Sequence, residues 1–302
     1  MPTNPAVDAV HHAHSRRWRL RLTTPALAAL MVTIISFPAW RPTAQAQPTE
    51  LPRIHPGGLV RWPGDEISSC ELGEDTWAPF DGSCWYPIDL LSESTEVRLA
   101  RTRNSVREFT TIEVGPYPYP EQRLNVEPEM VTPPADQLDR INREAELVSS
   151  LWRSQGPAEF SLPLDPPVNP MPELRNFGSR RVFNGQPRSP HSGADLTAPA
   201  GTVVRAAGAG TVVLTGSHYY SGNSVFIDHG DGLVTMYFHL DRIDVEAGQR
   251  VDRGLAIGTV GATGRVTGAH LHFGVRWHGA RIDPELLFSE THEIPKVGPE
   301  PL

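Results

Sequence analysis

The sequence predicts a mainly β protein, with a C-terminal antiparallel sheet or barrel preceded by a small β-sandwich-like module and one helix. Residues 203–214, 224–228, 233–239, 243–245, 256–260 and 271–277 alternate in polarity or run β-branched, with Asp-Gly, Gly-Asn and Ala-Gly turns between them. Upstream, residues 96–100, 107–114 and 124–126 are shorter runs of the same kind, interrupted by the rigid stretch Gly115-Pro116-Tyr117-Pro118-Tyr119-Pro120. Between the two sets lies a stretch of helical periodicity. The strands are too short for a doubly wound architecture and suit a compact antiparallel fold of about 115 residues.

The elements follow in order along the 302 residues. Arg16, Arg17, Arg19 and Arg21 precede a mainly apolar run, and Ala44-Gln45-Ala46 then supplies a small-x-small cleavage pattern. Residues 1–46 therefore read as a secretory signal, with an uncleaved anchor as the alternative and Ser15-Arg16-Arg17 hinting at twin-arginine export. Residues 47–132 form the small β module, which carries both cysteines, Cys70 and Cys84. In an oxidising compartment the pair makes one disulfide, and closing so short a loop stabilises by roughly 3 kcal/mol in the chain-entropy view. A second metal site is the alternative, but Cys-x-x-Cys is absent.

Pro133 and Pro134 open a helix over 133–156, whose Leu138, Ile141, Ala145, Val148 and Trp152 step by three and four to give one apolar stripe. That stripe is expected to pack on a neighbouring domain; it has too few heptads for a coiled coil. Residues 157–172 are proline-dense and read as a linker or an extended lead-in. Residues 173–288 form the larger β domain, and 289–302 a polar, mobile tail.

Charge excludes some functions. Losing residues 1–46 removes five Arg and one Asp from 27 basic and 35 acidic residues, leaving 22 against 34 and a net charge near −12. Only one lysine, Lys296, is present. Such a chain has no electrostatic footprint for nucleic acid and no charge-driven attraction to anionic membranes.

The chemistry concentrates in the larger β domain. His191 and Asp195 are four positions apart in SPHSGADLTAPAGT, and His270 and His272 stand in TGAHLHFGV. His and Asp suit a borderline cation such as zinc, and three protein ligands leave a fourth position open. Two histidines two apart on a strand project from one face, so one can bind metal while the other stands just outside. His239 ends the apolar run MYFHL, where an ionisable group is normally excluded. His218, His229, His278 and His292 read as structural.

These segments resemble the lysostaphin-like zinc metallopeptidases, enzymes that cut the peptide part of bacterial peptidoglycan. The resemblance covers residues 176–287: His-x-x-x-Asp at His191 and Asp195, Tyr-x-His-Leu at Tyr237 to Leu240, VEAGQRVDRGLAIGTVGATG, and His-x-His at His270 and His272. Ala269 departs from it, standing where relatives commonly have proline. The resemblance implies one Zn2+ held by His191, Asp195 and His272, with His239 and His270 as catalytic histidines. Asn184 and Tyr237 are candidates for lining the substrate groove, with strand packing the alternative for Tyr237. The implied activity is metal-assisted endopeptidase hydrolysis in the periplasm or cell envelope, or outside the cell. The partner is a peptidoglycan stem peptide or cross-bridge. A D-alanyl–diaminopimelate cross-link is favoured over a glycine bridge, since 47–156 carries no wall-targeting repeat.

The same resemblance includes silent members that regulate other wall hydrolases, which would make a regulatory protein the partner. Such members lack one or more of the five positions, and all five are present here. Autoinhibition, by the N-terminal module or by FNGQPRS covering the groove, remains compatible with that set. A lipoyl-type carrier domain is excluded because Lys296 lies in the tail rather than on a hairpin tip.

Overall fold

A computed structural model describes residues 51–126, 128–153 and 156–298. The expected secretory signal lies outside the described residues. Among those residues no helix is long and apolar enough to cross a membrane.

The N-terminal module pairs a five-stranded sheet, in the order Arg53–Ile54, Val106–Val114, Glu96–Arg103, Ile67–Leu72 and Asp75–Trp77, with a two-stranded ribbon of Leu59–Pro63 and Ser83–Pro87. Trp62 and Tyr86 of the ribbon share one buried cluster with Leu99 and Ile112 of the sheet, so the two layers form a small sandwich. The Cys70–Cys84 disulfide lies in this cluster. Tyr86 donates its hydroxyl to the Ala100 carbonyl at 2.6 Å, which lets a polar ring tip stay fully buried.

The C-terminal sheet has ten strands among the described residues. Its main path runs Arg250–Val251, Gly210–His218, Gly222–Asp228, Leu233–Ile243, Leu271–Trp277, Gly193–Leu196 and Leu174–Arg175, every pair antiparallel. Ala256–Val260 branches from Leu233–Ile243 and pairs with Val203–Arg205. Of the sheet and the barrel, the fold takes the sheet.

The proline-dense stretch, read as a linker or an extended lead-in, is packed: Phe160, Leu164 and Val168 are buried in the same core as Leu271 and Trp277. The tail is not loose either. Ile294 and Val297 are buried, Val297 within the N-terminal cluster, and the backbone of Arg61 exchanges hydrogen bonds with Pro295 and Val297. Proline-rich composition signals the loss of ladder hydrogen bonds, not the loss of packing.

The modules also share a core. Trp85 of the ribbon stacks on Trp277 of the large sheet with centroids 5.5 Å apart, and Phe80 stacks on Phe160 at 4.5 Å. Fully burying side chains of this size stabilises by about 1.5–3 kcal/mol each. Glu121–Leu124 pairs in parallel with Arg180–Phe183 in a separate three-stranded sheet, so the chain that follows the sandwich holds the hairpin that leads into the site.

The helix spans Leu138–Ser150, with short 3-10 turns at both ends. Its stripe is only partly covered: Ile141 and Val148 are half-buried while Leu138 and Ala145 stay exposed. Polar contacts do more of the docking. Arg140 donates to the Ser217 carbonyl and Glu144 accepts from the Tyr219 amide, both at 2.8 Å.

His229 is structural in the way expected of it. It is completely buried, donates Nδ1–H to the Ala209 carbonyl and pairs through Nε2 with Thr235 Oγ1, both at 2.7 Å. Burial pushes its pKa down to about 4, so the folded chain refuses a proton that the unfolded chain binds below about 6.5. Stability should therefore fall as pH drops from about 6.5 to about 4, with His229 accounting for roughly 3 kcal/mol across the window and about 2 kcal/mol by pH 5. Urea unfolding at pH 7 and pH 5 checks this. His229→Gln should lose about 2 kcal/mol less than the wild type between those pH values, and an unchanged difference would assign the slope to other groups.

Candidate metal centre

Strand pairing builds the site. Gly193–Leu196 runs antiparallel to Leu271–Trp277 with Asp195 directly opposite His272, which makes the two side chains cross-strand neighbours. His191 enters from the extended chain just before. Its Nε2 lies 3.1 Å from Asp195 Oδ1 and 2.7 Å from His272 Nδ1, and His272 Nδ1 lies 3.1 Å from the same Oδ1.

The three donors fit a metal. His191 donates Nδ1–H to the Asn176 carbonyl at 2.9 Å, which fixes the tautomer and leaves the Nε2 lone pair facing His272 and Asp195. Burial lowers the His191 pKa to about 4, so the ring is in its neutral, ligating form near neutral pH. Burial alone would raise Asp195, but hydrogen bonds with His191, His270 and His272 outweigh it and hold the carboxyl well below the usual range. Two imidazoles and one ionised carboxylate converging on a buried point are a donor set that could hold a metal ion, and these donor types suit zinc.

His239 reaches the site through a backbone irregularity. Its φ is +64°, a left-handed conformation that few residues other than glycine adopt. Simple alternation would send Phe238 and His239 to opposite faces. Instead Phe238 stacks on His272 with centroids 5.2 Å apart, and His239 meets the same ring edge-on at 6.0 Å. The left-handed residue turns His239 out of the core face that Tyr237 occupies. It then donates Nδ1–H to the Thr263 carbonyl at 2.9 Å, and burial first, with His272 second, lowers its pKa to about 3.

His270 stands beside it, ring centroids 5.0 Å apart. It donates Nδ1–H to the Gly268 carbonyl at 2.9 Å and holds Nε2 3.5 Å from Asp195 Oδ1. Burial would lower its pKa, yet the hydrogen bond and charge of Asp195 prevail and raise it.

Five of the sequence-derived site residues are thus assembled together. The two groove candidates make other contacts. Tyr237 is fully buried, its ring edge-on to Phe273 and its hydroxyl accepting from the Ala207 amide at 2.8 Å. It serves the core, because Leu233, Thr235 and Tyr237 continue one buried face. Asn184 sits in an exposed turn with φ +49°, and its side chain pairs with both the amide and the carbonyl of Val126. It ties the hairpin to the N-terminal module.

Sequence reasoning missed Asn176, Arg181 and Gly193. Asn176 holds His191 through its carbonyl, and its side-chain amide lies 3.4 Å from Asp195 Oδ2. Arg181 Nη2 stands 3.6 Å from the same oxygen. A Cβ on Gly193 would stand 2.5 Å from His272 Nε2 and 2.7 Å from the Phe273 carbonyl. Gly193→Ala should therefore displace His272 and weaken zinc binding by about 10- to 100-fold, the usual cost of disturbing a ligand's support. Competition with a chromophoric chelator reads this directly; unchanged affinity would show that His272 has room to move.

A His-Asp-His group able to hold one metal ion, flanked by two histidines on an antiparallel sheet, fits a metallopeptidase. The family model of peptidase family M23 matches residues 189–284. The crystal structure of a putative peptidase M23 from Pseudomonas aeruginosa is 31% identical, covering 77% of this chain and 94% of that one with a TM-score of 0.59. Peptidoglycan DD-endopeptidase ShyA of Vibrio cholerae is 50% identical over 99 residues, which are 32% of this chain and 23% of that protein. DD-carboxypeptidase/endopeptidase Mpg of Neisseria meningitidis is 40% identical over 104 residues, 34% of this chain and 24% of that protein. The chain belongs to peptidase family M23. It spans about a quarter of the length of these two curated relatives.

Proposed function

We propose that the chain is an exported zinc-dependent endopeptidase that hydrolyses peptide cross-links of bacterial peptidoglycan. The observation that carries this reading is the convergence of His191, Asp195 and His272 within 4.8 Å, with His239 and His270 beside them. The named activities of the curated relatives supply the substrate class. His191 Nε2, Asp195 Oδ1 and His272 Nδ1 would hold the zinc, which when bound activates water and polarises the scissile carbonyl.

The chain's own residues do the rest. Both flanking histidines commit Nδ1–H to a backbone carbonyl, so each offers Nε2 to the reacting groups. His239 is neutral and can take up a proton at Nε2 as the nucleophile forms. His270, with Nδ1–H held by the Gly268 carbonyl, can donate from Nε2 to the carbonyl oxygen as negative charge develops there. The proton then passes to the leaving amine. The silent, regulatory reading has no supporting feature, since all five positions are assembled.

The test is metal analysis of purified residues 47–302 combined with mass spectrometry of cross-linked peptidoglycan after digestion. About one zinc per chain and release of cleaved cross-link peptides is the expected result. Bound zinc with no turnover on any wall type would overturn the hydrolase reading.

A further inference from the structure

His239 sits where strand pairing breaks register. Asn223 pairs with Leu240 and Val225 with Tyr237, so Phe238 and His239 together oppose Ser224 alone. Such a bulge re-aims a side chain and disrupts the ladder locally, so contacts from outside the pair have to set its shape. The His239 amide is met by the Ser221 carbonyl at 2.9 Å. Further bracing comes from residues 261–263.

Thr263 is the centre of that brace. Its carbonyl accepts Nδ1–H of His239 at 2.9 Å. Its hydroxyl accepts from the Asn223 amide and donates to the Leu240 carbonyl, both at 2.8 Å. The residue that holds the ring is thereby tied to both strands across the bulge. Any residue at 263 brings the carbonyl, but the other two bonds need a side chain that donates and accepts at once, as a hydroxyl does. The backbones meet closely to allow this. A Cβ on Gly222 would stand 2.4 Å from the Thr263 carbonyl and hydroxyl oxygens, and one on Gly264 would stand 2.3 Å from the Gly222 nitrogen. The Gly261 carbonyl also accepts from the His270 amide at 3.3 Å, so one short segment touches the backbone of the second flanking histidine as well.

We propose that Thr263 is a positioning residue of the hydrolysis: its hydroxyl fixes the carbonyl that orients His239, and so sets where His239 Nε2 stands. Thr263 acts through that ring and touches no reacting atom. This rests on the endopeptidase reading above and deepens it. The leverage is large, because misplacing a reacting group by about 1 Å can cost about 100-fold in rate.

The test replaces the hydroxyl in the full, zinc-loaded chain, with a soluble dimer of cross-linked stem peptides as substrate. Thr263→Val, which keeps the side-chain shape, should lower kcat about 10- to 100-fold with KM and zinc content unchanged. Thr263→Ser keeps the hydroxyl and should stay within about threefold of wild type. In a His239→Asn background, Thr263→Val should change the remaining kcat by less than about twofold, because the ring through which it acts is gone. Proton–nitrogen correlation spectra of the imidazoles give a readout without turnover, with the His239 signal assigned by its loss in His239→Asn. They should show a single Nδ1–H tautomer for His239 in the wild type and Thr263→Ser, and a mixture in Thr263→Val.

A kcat for Thr263→Val within about threefold of wild type, an equal loss in both backgrounds, or a serine variant as slow as the valine one overturns the positioning role. Thr263→Ala, whose smaller side chain leaves water room to reach the two backbone groups, is read in the same way if the valine variant does not fold. Failure of the zinc-loaded wild type to cleave the dimer or cross-linked peptidoglycan overturns the endopeptidase reading instead. The spectra then decide the Thr263 contact on their own, and an unchanged His239 signal in the hydroxyl-free variant overturns it.

Discussion

Asp195→Ala should abolish both metal binding and hydrolysis. Zinc content should drop from about one per chain to near zero, and turnover should fall to background, since the activated water depends on the metal. Asp195 supplies the only negative charge among the three ligand side chains, and its Oδ1 lies within 3.1 Å of both ligand histidine nitrogens. Removing it leaves two ring nitrogens 2.7 Å apart with nothing but each other. The loss should appear in stability as well as in activity. Zinc binds the folded state, so at a free concentration about 1,000-fold above its dissociation constant it adds about 4 kcal/mol. Chelation should therefore lower the melting temperature of the wild type and leave that of Asp195→Ala unmoved. A variant that keeps stoichiometric zinc and full activity would remove Asp195 from the ligand set.

Much of this site was legible because its geometry is strand geometry. Residues 270 and 272 share a face by alternation, and His191 with Asp195 fall on a short extended segment next to it, so residue type and spacing carry the information. What the sequence hid lies in the backbone. The Asn176 carbonyl that orients His191 belongs to a main chain that every residue has, and no side-chain pattern marks it. The need for glycine at 193 arises from His272 crossing over it from another strand. Of the two readings open for Tyr237, groove lining and strand packing, its burial fits the packing one, and the left-handed residue at 239 separates it from His239.

The fold shows the same division. Alternating runs gave the strands, since side-chain period is local. The joining of the modules was not visible, because it depends on Trp85 meeting Trp277 and on Val297 returning to the first sandwich, contacts between residues far apart in the chain. Phe160, Leu164 and Val168 recur every fourth residue, but Pro163, Pro166 and Pro167 among them rule out the helix such spacing would announce, so their burial follows from surface complementarity instead.

His239→Asn should leave the metal in place and remove most of the turnover. The choice of asparagine matters. His239 adopts φ +64°, and alanine there adds a backbone cost of about 1–2 kcal/mol, which would confuse strain with chemistry. Asparagine tolerates the left-handed region, and its short amide cannot carry a proton as an imidazole does. The ring of His239 stands outside the ligand set, with Nδ1–H held by Thr263 and Nε2 left for the reacting groups. Zinc stoichiometry and melting temperature should therefore stay near wild type while kcat falls about 10²- to 10⁴-fold, the range for losing a positioned acid–base group. KM should change little, since a proton acceptor acts in the transition state more than in ground-state binding. A kcat within about threefold of wild type would transfer the proton-accepting role to His270, and zinc loss in the variant would place His239 among the ligands.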